Sequence, residues 1–262
     1  MHKMKQRLLG GVASAALLNA SAALAAPPVL PSWTGLYIGG HAGYSWGSID
    51  GDLTHTVLVP QTPFFVRTPN PVIIPSLGRD LDPNGGLGGF QAGYNYQVDR
   101  IVYGLEADLS WTGQRDTFNF GVQHLTLNFE DFDYRETLAA KLQYMGTVRG
   151  RIGYAFDQFL PYVTGGFAWG RMKMDLSWAA AQRGNPGAPV FASASFSSSE
   201  AHTLTGWTLG AGFEYAFAPR WTAKFEYLYV DLGKDTYFAG IPGGGAFGLT
   251  DQIVRFGINF RT

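Results

Sequence analysis

"VYGLEADLSW", residues 102–111, places Glu106 and Asp108 in a run that otherwise reads Tyr, Leu and Trp. Two acids in an apolar strand are costly unless they point away from the apolar side. Successive side chains of a strand alternate between its faces. Ile101, Tyr103, Leu105, Ala107, Leu109 and Trp111 therefore share one face, and Val102, Gly104, Glu106, Asp108 and Ser110 share the other. One face is oily and aromatic; the other is small and charged. The rest of the chain must say which of them meets water, core or lipid.

The same alternation recurs along the chain. "LYIGGHAGYSW" (36–46) sets Leu36, Ile38, Tyr44 and Trp46 against Tyr37, Gly39, His41 and Ser45. "FQAGYNYQV" (90–98) sets Phe90, Tyr94 and Tyr96 against Gln91, Gly93 and Asn95. In 138–154, Leu138, Leu142, Tyr144, Val148, Ile152 and Tyr154 oppose Lys141, Gln143, Thr147, Arg149 and Arg151. In 161–170, Val163, Phe167 and Trp169 oppose Thr164 and Gly166. In 203–217, Trp207, Leu209, Phe213 and Tyr215 oppose Thr208, Gly210, Gly212 and Glu214. In 220–230, Trp221, Phe225, Tyr227 and Tyr229 oppose Thr222, Lys224 and Glu226. In 252–260, Val254, Phe256, Ile258 and Phe260 oppose Arg255, Gly257 and Asn259. The reading is all-β, with eight amphipathic strands of about ten residues each.

Composition agrees. The 262 residues include 35 Gly and 15% aromatics but only 15% charged residues, against roughly a quarter in an ordinary soluble domain. The net charge of -1 offers no field for nucleic acid. With no Cys, disulfides, thiolate metal sites and Cys nucleophiles are excluded.

The N-terminus reads as an address. Lys3, Lys5 and Arg7 precede an apolar stretch of small residues, and Ala23-Leu24-Ala25 forms a cleavage pattern that leaves Ala26 as the first mature residue. Residues 1–25 are then a signal peptide and 26–262 one barrel domain. Beyond residue 26 no run reaches the ~18 apolar residues of a membrane helix.

The links alternate in length. Those at 98–100, 156–159 and 217–220 are short; those at 47–87, 112–137, 171–202 and 231–251 are long and rich in Gly, Pro, Ser and Asn. Short turns at one end and long excursions at the other suit an antiparallel up-and-down transmembrane barrel. The competitor is a soluble eight-stranded barrel with an oily interior. Such a small barrel has no room for this many inward Tyr, Trp and Phe side chains, whereas Gly on the opposite face suits a narrow lumen. The oily face is therefore read as lipid-facing. Glu106 and Asp108 then point into the barrel, with Glu214, Glu226, Lys141, Arg149, Arg151, Lys224 and Arg255 on the same side. In a narrow lumen, charges persist as pairs.

"WTGLYIGGHAGYSWG", "GGFQAGYNYQ", "VYGLEADLSW", "GTVRGRIGYAF", "GWTLGAGFEYAF" and "KFEYLYVDLG" together resemble the outer-membrane immunogenic proteins of Gram-negative bacteria. These are porin-like small barrels related to the transmembrane domain of outer membrane protein A. The resemblance runs through the whole mature chain. It implies an outer-membrane location reached through the periplasm, contact with lipid and lipopolysaccharide, insertion by the barrel assembly machinery, and antigenic loops open to an extracellular partner. It implies no catalysis. Two features depart from the family. The chain ends Phe260-Arg261-Thr262 rather than on an aromatic, and the first link, with "TVLVPQTPFFVRTPNPVIIP", is long and apolar. With nothing after the barrel, no peptidoglycan-binding domain is expected.

Other chemistry reads weakly. His2, His41, His55, His124 and His202 are scattered, without the His/carboxylate spacing of a metal site. No nucleophile, base and orienting acid cluster in sequence. "GGLGG" (85–89) reads as a loop hinge, because no helix follows to make a phosphate cradle. No cofactor, metal or nucleic acid is expected. The functional expectation is a surface barrel with a structural and loop-mediated role, its lumen closed by charge pairs. The alternative is a narrow channel for small solutes.

Overall fold

The computed structural model describes residues 32–53, 55–57, 72–74, 81–127, 130–183, 189–240 and 244–262. The expected signal peptide and its Ala25–Ala26 junction lie outside them. In chain order the strands are β1 (Gly35–Leu53), β2 (His55–Val57), β3 (Val72–Ile74), β4 (Asn84–Val98), β5 (Ile101–Thr112), β6 (Arg115–Leu127), β7 (Glu130–Tyr154), β8 (Phe159–Arg183), β9 (Val190–Ala218), β10 (Trp221–Tyr237) and β11 (Gly245–Arg261). β2 and β3 form a small antiparallel pair of their own.

The others make one antiparallel ring. β1 pairs with β4 on one side and β11 on the other, so the sheet has closed on itself. β5 and β6 both pair with β7 and are separated only by Gly113 and Gln114, so together they form one stave. The ring therefore has eight staves. Closure removes the free edges that an open sheet would offer inside a bilayer. Neighbouring staves at one end are joined by two-residue turns at Asp99–Arg100, Asp157–Gln158 and Pro219–Arg220. Asp99 and Asp157 take positive φ (54° and 52°), a conformation that Asp tolerates better than branched residues.

The oily face lies outside. Leu36, Ile38, Phe90, Leu105, Val163, Leu209 and Phe256 are all more than half exposed on the ring's outer surface. Tyr96, Tyr103, Tyr154 and Trp221 lie near the short-turn end, and Tyr44, Trp46, Trp111 and Trp207 near the other. From Leu36 to Trp46, at about 3.3 Å per residue and a tilt of roughly 40°, the band is about 25 Å tall. That is the height of a lipid-facing belt.

The expected strand lengths and links need correction. β7 and β8 have 25 residues each and β9 has 29, so most of 112–137 and 171–202 is paired strand rather than loop. The same holds for most of 231–251, where β10 and β11 stay paired up to Tyr237 and Gly245 across a register shift between Asp231 and Lys234. β1 runs on to Leu53 and β4 starts at Asn84, which trims the 47–87 link at both ends.

The cause is a change of solvent. Along β8 the outer side chains run Val163, Phe167 and Trp169 and then Arg171, Lys173, Asp175 and Ser177. The inner ones run Tyr162, Thr164 and Ala168 and then Met172, Met174 and Leu176, which are fully buried. The alternation keeps its period and phase, but its polarity reverses where the wall leaves the belt. In lipid the outside must be apolar; in water the inside must be.

β7 adds a register shift. A bulge between Leu142 and Tyr144 changes which parity faces inward. Strict alternation puts Leu138 and Leu142 outside and Lys141 inside. The structure instead buries Leu138 and Leu142 in the interior and leaves Lys141 exposed on the outer face.

Candidate functional site

Above the short turns the lumen is filled by a charged layer. Glu106 and Arg149 are direct cross-strand partners on β5 and β7, Glu226 and Arg255 on β10 and β11, and Glu214 and Lys224 on β9 and β10. The side chains do not simply close on those neighbours. Glu106 accepts hydrogen bonds from Arg149 Nη2, from Lys224 Nζ at 2.8 Å and from the Tyr37 hydroxyl at 2.7 Å. Asp108 accepts from Thr147 Oγ1 at 2.6 Å, Arg255 Nη2 at 3.0 Å and Arg149 Nη2 at 3.2 Å. Glu226 accepts from Arg255 Nε at 2.7 Å, Tyr162 Oη at 2.9 Å and Arg149 Nη1 at 3.0 Å. Glu214 takes Arg151 Nη1 from across β8, and Thr222 Oγ1 at 3.1 Å.

Four acids face four bases, and every one of their side chains is at most 2% exposed. The layer is therefore neutral as a unit, the condition under which buried charges survive desolvation. Each stave contributes: Tyr37 from β1, Asn95 from β4, Tyr162 from β8, and the charged residues from the remaining five. Arg151 is held by Asn95 Oδ1 at 2.8–2.9 Å, with its guanidinium 4.8 Å from the Tyr37 ring centre and 5.1 Å from that of Tyr162. Glycines make room for these large groups. A Cβ on Gly93 would fall 2.3 Å from the Tyr37 hydroxyl, and one on Gly104 would fall 2.8 Å from Arg151.

The structure thus brings together Glu106, Asp108, Arg149, Arg151, Glu214, Lys224, Glu226 and Arg255. It excludes Lys141, for the bulge described above. Sequence reasoning placed Tyr37, Asn95, Thr147 and Thr222 on the polar face but gave them no part in the layer. Their signal was the shared parity with the charges. Tyr162 carried the same signal.

Two apolar plugs flank the charges. Toward the long-strand end, Ile49, Leu87, Leu138, Leu142, Leu228 and Ile253 begin a continuous core that reaches Met172, Met174, Tyr237 and Phe247. Asp251 lies among them with Gln114 Nε2 at 3.0 Å from both carboxylate oxygens, and among the described residues it has no cation partner. At the short-turn end, Trp33 is buried with Val102, Leu160 and Ala216. Its backbone N–H donates to Gln97 Oε1 at 2.7 Å, and the Arg261 guanidinium lies 4.9 Å from its ring.

The histidines do not converge. His41 is buried in the lumen, 2.8 Å from Ser110 Oγ. His202 lies above the belt, its Nδ1 2.7 Å from Asp235 Oδ2, a contact that holds the Asp235 carboxyl below its ordinary value. The side chains of His2, His55 and His124 lie outside the described residues. "GGLGG" (85–89) is part of β4, not a hinge.

The chain matches the outer membrane protein beta-barrel domain family over residues 11–261. It is 38% identical over 245 residues to the 31 kDa outer-membrane immunogenic protein of Brucella melitensis, covering 92% of this chain and 88% of that one. It is 29% identical over 237 residues to the 22 kDa outer membrane protein of Rhizobium leguminosarum, covering 89% and 81%. Among solved structures it is similar to the outer membrane protein OprG of Pseudomonas aeruginosa, at 12% identity and a TM-score of 0.42, covering 89% of this chain and 100% of that one. The closed ring, the lipid-facing belt and the match along nearly the whole length lead to one conclusion: the chain belongs to the outer membrane protein beta-barrel domain family and is an eight-stranded barrel of the outer membrane.

Proposed function

We propose that the protein is a closed, non-catalytic surface barrel that serves the envelope structurally and meets the outside through the segments above its belt. The observation that carries this reading is the filled interior: Trp33 at one end, the neutral charged layer next, and the apolar core beyond it. A solute would have to break buried ion pairs and then cross a dry core. Relatives named immunogenic support exposure of the outer segments to a host. Lipopolysaccharide is the expected neighbour of the outer half of the belt. The assembly machinery is expected to receive β11, whose last lipid-facing aromatic, Phe260, sits between Ile38 and Trp221. Planar-bilayer recording on refolded protein tests the reading. No reproducible conductance steps are expected. Steps of uniform size, abolished by heat denaturation, would replace the closed barrel with the narrow channel.

A further inference from the structure

The outer face changes character at the top of the belt, but not evenly around the barrel. Beyond the last aromatic of each strand, the next outward side chain is Ser48 after Trp46 on β1, Thr205 after Trp207 on β9 and Asp231 after Tyr229 on β10. The β6–β8 side differs. There Trp169 of β8 is followed by Arg171 and Lys173, and Tyr144 of β7 by Lys141 past the bulge. On the neighbouring stave Trp111 of β5 is followed by Gly113 and then by Arg115 of β6.

The register puts these cations side by side. Lys141 is the direct cross-strand partner of Arg115 on one side and of Lys173 on the other. Arg115 also pairs with Asn84, which lies opposite Trp46, so the row runs on from the aromatic edge of the belt. Like charges directly opposite one another destabilise a sheet. With strands about 4.8 Å apart, the three charges sit within a span of about 10 Å. Among the described residues the acid that touches the row is Asp175, 2.9 Å from Lys173 Nζ, and Arg115 and Lys141 have no carboxylate within ion-pair distance.

Height says what lies against them. Lys173 is four residues beyond Trp169, which at about 3.3 Å per residue and a tilt of roughly 40° lifts its backbone about 10 Å above that ring. Interfacial Trp and Tyr mark the level where hydrocarbon gives way to headgroups, and long basic side chains lay their stems along the wall and carry the charge to that level. A neighbour in this layer is a lipid headgroup, and one that relieves a row of like cations is an anion.

We propose that Arg115, Lys141 and Lys173, with Arg171 below them, form a binding site for an outer-leaflet lipid headgroup bearing more than one phosphate. The guanidinium groups offer paired N–H donors that match phosphate oxygens, and the lysines add point charges. This rests on the reading of lipopolysaccharide as neighbour of the outer half of the belt, and places that contact on one side of the barrel. Lumen closure is independent of it, so bilayer recording and the test below can fail separately.

The test titrates refolded protein in non-ionic micelles with diphosphoryl, monophosphoryl and fully dephosphorylated lipid A. A chelator removes divalent cations that could bridge phosphates to carboxylates. Affinity should fall in that order. Each cation is worth about fivefold near a charged lipid surface. Lys141→Gln should therefore weaken diphosphoryl lipid A binding about fivefold. The triple variant Arg115→Gln, Lys141→Gln, Lys173→Gln should weaken it about a hundredfold and erase the preference for two phosphates over one. Arg220→Gln removes the same charge from an exposed position at the short-turn end and should bind as the parent. Heat-modifiable gel mobility checks that every variant is folded. Parent-like binding by the folded triple variant, or equal affinity for the dephosphorylated lipid, overturns the proposal. An equal loss in Arg220→Gln does so too, because net charge rather than this row would then govern binding. Displacement of the lipid by inorganic phosphate at the same concentration would make the row a site for free anions and overturn its assignment to a lipid.

Discussion

Glu106 receives Arg149, Lys224 and Tyr37 and lies 3.6–3.7 Å from Arg255 and Arg151. Its carboxylate is the meeting point of cations from three other staves. Glu106→Ala would leave those cations in a dry layer with one acid too few. Removing one member of a buried ion pair costs about 3–5 kcal/mol, so the urea midpoint in micelles should fall by a matching amount. Lys141→Ala is the contrast. Its side chain is exposed on the outer face above the belt, and such substitutions usually stay within about 0.5 kcal/mol. If the two variants unfold at the same urea concentration, the layer is hydrated and its pairing carries no stability. Gly104 belongs to the same scale, because any side chain there displaces Arg151 and with it the Glu214 contact.

β8 and β9 carry the largest departure from the expected links. Their serine-rich stretch has the composition of a loop, yet Lys173–Gln182 pairs residue by residue with Ala192–Ala201. The reason is that half of the strand's side chains cover an apolar core and the other half face water, where Ser and Lys are cheap. Register can be tested directly in a Cys-free chain. Ser177 and Ser197 are direct partners on the exposed face. The double variant Ser177→Cys, Ser197→Cys should form a disulfide in mild oxidant, while Ser177→Cys, Ser193→Cys should not. Equal cross-linking of both pairs would mean that 171–202 samples many conformations and that no fixed ladder exists.

At the scale of the whole molecule, two solvents shape one wall. A basic residue on the lipid face should cost about 2–4 kcal/mol at mid-bilayer and almost nothing above the belt. Leu105, 60% exposed in the middle of the band, and Ser177, exposed on the extension, mark the two situations. Leu105→Arg should refold poorly into bilayers and unfold at lower denaturant, whereas Ser177→Arg should behave as the parent. Equal tolerance at both sites would place the belt elsewhere on the barrel.

Much of this was legible in the chain alone, because the period of two is a local property. Tyr103, Leu105 and Leu109 against Glu106 and Asp108 already separate two environments. The short turns near 99, 157 and 219 set the up-and-down order, and eight of the nine charges expected in the lumen meet there. What tertiary structure decided was register and surroundings. A bulge at Leu142–Tyr144 reverses facing from one residue to the next, and alternation has no way to announce it. The apolar core of Met172, Met174 and Leu176 lies on the same parity as Thr164, so its direction depends on where the bilayer ends rather than on the pattern. Which acid meets which base was likewise undetermined, because Lys224 crosses the lumen to Glu106 while Arg151 reaches over β8 to Glu214. Periodicity assigns a side chain to a face; only the closed ring assigns it a partner.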